Sequence, residues 1–257
     1  HGKAQWHVTR AEVAAILYRV MDADCVKTYE TTRCSFSDVV RGDWFNLYVA
    51  TLENADVIVD TRTNGKFRPN EAITRAELAA MLAQFADIKS AANSFNDVSA
   101  RHWASDEIAV CAKMGWINGY PDGTFRPTAN ITRAEFATLL SRLSGADSAR
   151  GTAFSDVSAH WARKAIAAVS AKGWVSGYPD GTFRPNANIT RAEAMAMLNR
   201  MLGRLPESER DLLPGMSTFS DNMDSGKWYY LYVQEATNGH TYSVKRDGVH
   251  ETWESLR

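Results

Sequence analysis

The chain has 257 residues, 29 of them basic and 30 acidic, for a formal net charge of −1, with 45% hydrophobic and 23% charged residues. That composition is typical of a globular protein and argues against a nucleic-acid binder, which carries a basic excess. No run of 18 apolar residues occurs, so no membrane insertion is expected.

The first predicted element follows Thr9-Arg10-Ala11-Glu12, where Val13, Ile16, Leu17 and Val20 recur at i, i+3, i+4 and i+7, the stripe of an amphipathic helix. The chain opens inside a repeating pattern, as a fragment would. Cys25 and Cys34 flank a polar stretch. A disulfide closing that small loop would suit an extracellular location, and two unrelated thiols are the alternative. Cys111 aligns with Val169 and reads as a small core residue. No Cys or His set has ligand spacing, so neither a metal nor a cofactor is expected.

Three complete units follow, marked by four landmarks in fixed order. Phe36-Ser37-Asp38, Phe95-Asn96-Asp97 and Phe154-Ser155-Asp156 come first, then Trp44, Trp103 and Trp161. Next come turns ending in Phe67-Arg68-Pro69, Phe125-Arg126-Pro127 and Phe183-Arg184-Pro185, then the tetrads starting at Thr74, Thr132 and Thr190. The step from Thr74 to Thr132 equals that from Thr132 to Thr190, 58 residues. Each tetrad precedes a helical stripe: Leu78, Met81, Leu82 and Phe85; Phe136, Leu139, Leu140 and Leu143; Ala194, Met197, Leu198 and Met201. The segments after Trp103 and Trp161 read as a second, alanine-rich helix type ending near glycine. Phe219-Ser220-Asp221 and Trp228 then begin a fourth unit that continues into a polar tail. The chain thus divides into an N-terminal half-unit (1–35), repeats at 36–94, 95–153 and 154–218, and a C-terminal half-unit (219–257). One unit cannot bury both of its stripes, so the units must pack on one another.

Within the tetrad, Thr-x-x-Glu is a capping box: the Thr hydroxyl accepts from the N3 amide and the N3 Glu accepts from the Thr amide. The arginines Arg10, Arg75, Arg133 and Arg191 are less easily explained, because a cation at a helix start opposes the helix dipole. Two readings are open. A guanidinium beside unpaired amides suits an anion, carboxylate or phosphate; alternatively it makes a structural ion pair, for example with the Asp of a neighbouring Phe-Ser-Asp. Trp116 and Trp174, next to Gly119-Tyr120 and Gly177-Tyr178, tilt toward a ligand, since aromatic faces beside polar loops stack on sugar rings. Trp44, Trp103, Trp161 and Trp228 are expected mostly in the core.

The series Phe-Ser-Asp-Val, Trp, Gly-Tyr-Pro-Asp-Gly-Thr-Phe-Arg-Pro and Ile-Thr-Arg-Ala-Glu resembles the S-layer homology (SLH) domain, well over 36–203 and more weakly in the flanking halves. The resemblance implies an all-α fold of tandem helix–loop–helix repeats, a three-pronged spindle around a central helical bundle. It also implies a non-catalytic module that anchors proteins at the bacterial cell wall, extracellularly, by binding a secondary cell-wall polysaccharide carrying pyruvylated N-acetylmannosamine in inter-prong grooves. The basic residue of the tetrad contacts ligand in that family, so Arg133 and Arg191, then Arg75 and Arg10, are expected to grip the carboxylate. Trp116 and Trp174 would wall the sugar, and Gly119 and Gly177 would let it approach the backbone. The first repeat departs from the pattern: Ile58, Thr61, Arg62 and Asn64 stand where the others have Trp, Gly, Tyr and Asp. A monomer is expected. A self-assembly scaffold is the alternative; a wall-glycan hydrolase is disfavoured, since its two carboxylates need unlike environments and the acidic residues here recur with the repeat.

Overall fold

The computed structural model describes residues 6–58, 64–146, 151 and 154–256; Thr61 and Arg62 of the degenerate first repeat lie outside them. Among the described residues the α-helices are α1 Arg10–Val20, α2 Ala23–Tyr29, α3 Asn46–Asn54, α4 Arg75–Ala83, α5 Ser105–Lys113, α6 Arg133–Leu143, α7 Arg163–Ala171, α8 Arg191–Leu202 and α9 Tyr230–Thr237. Two strands, β1 His240–Val244 and β2 Glu251–Leu256, pair antiparallel near the C-terminus. The chain is helix-rich, as its repeats require.

All four tetrads form the capping box. Thr9, Thr74, Thr132 and Thr190 sit extended at N-cap and accept from the N3 amide at 3.2–3.4 Å. The capping glutamates return Oε2 to the threonine amide at 2.7–2.9 Å. The second helix type ends on a left-handed glycine: Gly115 and Gly173 both have φ of +73°, and the next amides, of Trp116 and Trp174, reach back to the carbonyls of Cys111 and Val169 at 2.9 and 3.0 Å. This six-to-one closure is what glycine at that position permits.

The Phe-Ser-Asp and Phe-Arg-Pro landmarks explain each other. Asp38, Asp97 and Asp156 each accept two successive amides from the turn, those of Phe67 and Arg68, Phe125 and Arg126, and Phe183 and Arg184, at 2.7–2.8 Å. The arginine amide so held belongs to a residue with φ between +55° and +59°, a conformation that ordinary side chains avoid without such support. The phenylalanine of that turn is fully buried in each copy.

Helices pack in pairs that cross the motif units: α1 with α3, α4 with α5, α6 with α7 and α8 with α9. A tetrad helix therefore pairs with the tryptophan helix that follows it in the chain. The two flanking half-units each complete a pair within the same chain, giving four sectors where the resemblance implies three prongs. The four capped helices converge on one apolar centre, where Val13, Leu78, Phe136, Leu139 and Leu198 surround a void of about 20 Å³.

Two local expectations are corrected. Cys25 and Cys34 are free thiols, because the residues after Cys25 wind into α2, capped by Asp22, instead of a loop that could bring the sulfurs together. Burial pushes the Cys34 thiol up to about 12. The polar tail is a β-hairpin turning at Asp247-Gly248, and His240 and Trp253 have a clear arrangement in it. Their rings stack at 4.0 Å, and His240 Nε2 lies 3.1 Å from Glu235 and 3.2 Å from Glu251. Arg204 joins both carboxylates, at 3.0 and 2.6 Å, and Arg19 of α1 reaches Glu235 at 3.4 Å. This buried cluster fastens the hairpin to α9 and α1.

Candidate functional site

The helix starts are occupied. The amides of Arg10, Arg75, Arg133 and Arg191 donate to the carbonyls of Glu71, Ala129, Ala187 and Trp6 at 2.8–3.0 Å. The next amides, of Ala11, Ala76 and Ala134, donate to Pro69, Pro127 and Pro185 at 3.0 Å. With the third amide taken by threonine, the starts of α1, α4 and α6 offer no open amide cradle for an anion among the described residues, contrary to the expectation.

The arginine side chains are likewise engaged. Arg10 meets Glu77 at 3.0 Å, Arg75 meets Glu135 at 2.5 Å, Arg133 meets Glu193 at 2.8 Å, and Arg191 closes the series on Glu12 at 2.6 Å. Each mate is the capping glutamate of the next sector, using Oε1 while Oε2 caps the helix, so four ion pairs run head to tail in a ring. Arg191 also contacts a Phe-Ser-Asp carboxylate, Asp221 at 3.2 Å. The Nε groups of Arg10, Arg75 and Arg133 donate to the carbonyls of Phe67, Phe125 and Phe183 at 2.7–2.8 Å. Arg75 is 0% and Arg133 2% exposed, each guanidinium lying 4.5 Å over its phenylalanine ring. Buried pairs of this quality are costly to break.

One ring carboxylate gives a pH dependence. Burial opposes charge on Glu77, but Arg10, the Thr74 amide and hydroxyl, and Arg68 outweigh it and hold its carboxyl below the ordinary 4.5. A carboxylate depressed by folding stabilises above its unfolded pKa and loses that contribution as pH falls through its folded value. Thermal unfolding followed from pH 7 downward should show a midpoint falling below about pH 4.5, and Glu77→Gln should flatten that slope.

Two clefts open beside the ring. The larger, about 380 Å³, is lined by Arg133, Gly177, Tyr178, Glu193, Arg200 and Trp228. Its repeat equivalent, with about 20 Å³ free, is lined by Arg75, Trp116, Glu135, Arg142 and Trp161. The second holds roughly one water, the first a sugar-sized ligand. In each, the half-buried glutamate is shared with a tyrosine hydroxyl: Tyr178 donates to Glu193 at 2.5 Å and Tyr120 to Glu135 at 2.6 Å.

The tryptophans are distributed differently from the expectation. Trp161 and Trp228, expected in the core, are 52% and 55% exposed and wall the clefts, because each projects from the start of its helix onto the neighbouring sector. Trp116 and Trp174 are half-buried against the core, and Trp116 also borders the smaller cleft. Gly119 and Gly177 have an internal reason. A Cβ on Gly177 would lie 2.4 Å from the Phe154 ring and 2.7 Å from the Thr182 carbonyl, and one on Gly119 2.2 Å from the Phe95 ring and 2.8 Å from the Thr124 carbonyl. Gly177→Ala is accordingly expected to cost about 1–3 kcal/mol, read as a lower urea midpoint.

The cations not anticipated are Arg142 and Arg200, nine residues after the tetrad arginines. Half-buried Arg142 makes no side-chain hydrogen bond or ion pair among the described residues, and desolvation lowers its pKa. Arg200 is held by hydroxyls alone, donating to Tyr232 at 2.9 and 3.1 Å and to Ser176 at 2.9 Å, and lies 5.0 Å over the Tyr232 ring. Neither is in ion-pair contact with a carboxylate among the described residues. The same position is Gln84 in α4's sector, and in α1 it is Arg19, which Glu235 neutralises. Recurrence of arginine at a fixed offset was a signal available in the sequence.

Comparison with known proteins fits this architecture. The S-layer homology domain family matches residues 35–79, 94–137 and 153–195, together just over half of the chain, and the chain belongs to that family. It is 39% identical over 196 residues to the cellulosome-anchoring protein of Acetivibrio thermocellus, covering 72% of this chain and 42% of that protein. It is 36% identical over 199 residues to cell surface glycoprotein 1 of the same organism, covering 71% and 8%. It is 35% identical over 145 residues to S-layer protein EA1 of Bacillus anthracis, covering 52% and 17%. The chain thus spans less than half the length of these relatives. Family and relatives together support a cell-wall anchoring module with an extracellular location at the cell surface. No helix among the described residues is long and apolar enough to cross a membrane.

Proposed function

We propose that the chain anchors its parent protein non-covalently to the cell wall by binding an anionic secondary polysaccharide, with pyruvylated N-acetylmannosamine as the recognised unit, in the cleft between Arg200 and Trp228. One observation carries this reading: Arg200 is an uncompensated guanidinium, oriented by two hydroxyls, facing an exposed indole across 380 Å³ of open space. Arg133 and Arg200 set two positive charges against the single carboxylate of Glu193, so the cleft favours an anion. A pyruvyl ketal offers a fixed carboxylate on a pyranose ring, which suits a planar cation opposite an aromatic wall. Arg133 acts from the back of the cleft and Arg200 at its mouth. The cleft of Arg75, Arg142 and Trp161 repeats the residue types but has room for only about one water, so the reading rests on the cleft at Arg200. Cosedimentation with purified wall sacculi tests the reading. Binding is expected to intact walls and to be lost from walls stripped of pyruvyl groups; equal binding to both overturns the ketal as the recognised group.

A further inference from the structure

The chain contains three Asn-Gly pairs, Asn64-Gly65, Asn118-Gly119 and Asn238-Gly239. In such a pair the glycine's backbone amide, which no side chain shields, can attack the side-chain carbonyl of the asparagine before it. Asn238 is withheld from this reaction: it is 5% exposed and hydrogen-bonded to Ser217 and Gln234. Asn118 is exposed in the loop between α5 and α6. Neither its side chain nor the Gly119 amide makes a hydrogen bond among the described residues. The Asn118 carbonyl oxygen belongs to the same peptide group as the Gly119 nitrogen, and it accepts from Arg75 Nη2 at 2.7 Å. A buried cation on that oxygen draws electron density from the peptide and acidifies the nitrogen that must lose its proton. The fold needs the glycine, since a Cβ there would strike Phe95. It does not need the asparagine, because the next repeat has Ser176 at that position.

A cation also lies within reach of the side chain. Asn118 and Arg142 line the same narrow cleft. In the next repeat the equivalent residues touch, Arg200 Nη1 donating to Ser176 Oγ at 2.9 Å. We infer that Asn118 is a self-modifying position, whose amide is hydrolysed through a cyclic imide to a carboxylate that pairs with Arg142. The Gly119 nitrogen gives its proton to hydroxide and forms a bond to Asn118 Cγ. The bond from Cγ to Nδ2 then breaks, the nitrogen takes a proton from water and leaves as ammonia, and the imide remains. Water opens the imide at either carbonyl, giving aspartate or isoaspartate and restoring the Gly119 N–H. Water and hydroxide are the co-reactants, and no oxidant or reductant is involved. The Arg142 guanidinium favours both the oxyanion on the way and the carboxylate at the end. Before the reaction Arg75 and Arg142 stand against Glu135 alone in the lining; afterwards the charges balance. None of this rests on the wall-binding reading.

The test is incubation of the intact protein at neutral and mildly alkaline pH, followed by peptide mass mapping and enzymatic detection of isoaspartate. The peptide carrying Asn118 is expected to gain the mass of one amide-to-acid conversion, faster as pH rises, while Asn238 keeps its amide. Arg142→Met should slow the conversion about tenfold, the worth of one charge-assisted contact. In the converted protein the Arg142 Nε–H NMR signal should move, and Asn118→Gln should abolish both changes. The inference is overturned if Asn118 keeps its amide in the folded protein, if it converts no faster than Asn238, or if Arg142→Met converts at the parent rate. Should Arg142→Met fail to fold, the Arg142 Nε–H signal decides alone, and an unmoved signal overturns the pairing.

Discussion

Replacing Arg75 by methionine is expected to destabilise the fold by about 3–5 kcal/mol, measured by urea unfolding. Arg75 is fully buried, and its loss leaves the Glu135 carboxylate without its cation and the carbonyls of Phe125 and Asn118 without their donor. The second variant, Arg75→Met with Glu135→Gln, should recover part of the loss, because the remaining group is neutral. A single-site cost under about 1 kcal/mol would mean the ring pairs carry no more than surface salt bridges do. The experiment also separates the two roles open to the tetrad arginine, since a purely ligand-gripping side chain would be removed at little cost to stability.

Arg200→Ala should leave stability nearly unchanged and weaken binding to wall polysaccharide by about ten- to a hundredfold, the worth of one charge-assisted hydrogen-bonded contact. Its present partners are two hydroxyls at a half-exposed position, so truncation strands no buried charge. Trp228→Ala should act on the same cleft, and Arg200→Lys should restore only part of the affinity, because an ammonium lacks the planar fork. Added salt should weaken the parent more than Arg200→Ala. Unchanged wall binding in both Arg200→Ala and Trp228→Ala would remove the cleft from the mechanism.

Much of this was legible in the residues. The helical stripes and capping boxes follow from local spacing; the capping box forms in all four copies, while the second stripe is cut short because α4 ends at Ala83 and leaves Phe85 exposed beyond it. What local patterns could not show is which copy meets which. Arg75 and Glu135 lie 60 positions apart, as do Arg133 and Glu193, and the closing contact joins Arg191 to Glu12 across most of the chain. The tetrad glutamate therefore looked like a cap alone, and the arginine like a cation in search of an anion. The places of Trp161 and Trp228 are not legible locally, because a recurrent aromatic is as compatible with an interface wall as with a core. The C-terminal hairpin was readable: Asp247-Gly248 separates Thr-Tyr-Ser-Val from Glu-Thr-Trp-Glu, alternating segments around a favoured turn. Helix α2 is short, seven residues, and buries none of them, so no apolar stripe marks it in the sequence.

The head-to-tail contacts have an evolutionary corollary. An open solenoid gains or sheds units at its ends and leaves every internal joint intact. Here each unit hands its cation forward and receives one from behind, so deleting or duplicating a single copy strands one charge at each side of the cut unless the remaining copies can re-close. Copy number is thereby a property of the whole circle, and drift in it should be tolerated only where the geometry of closure survives.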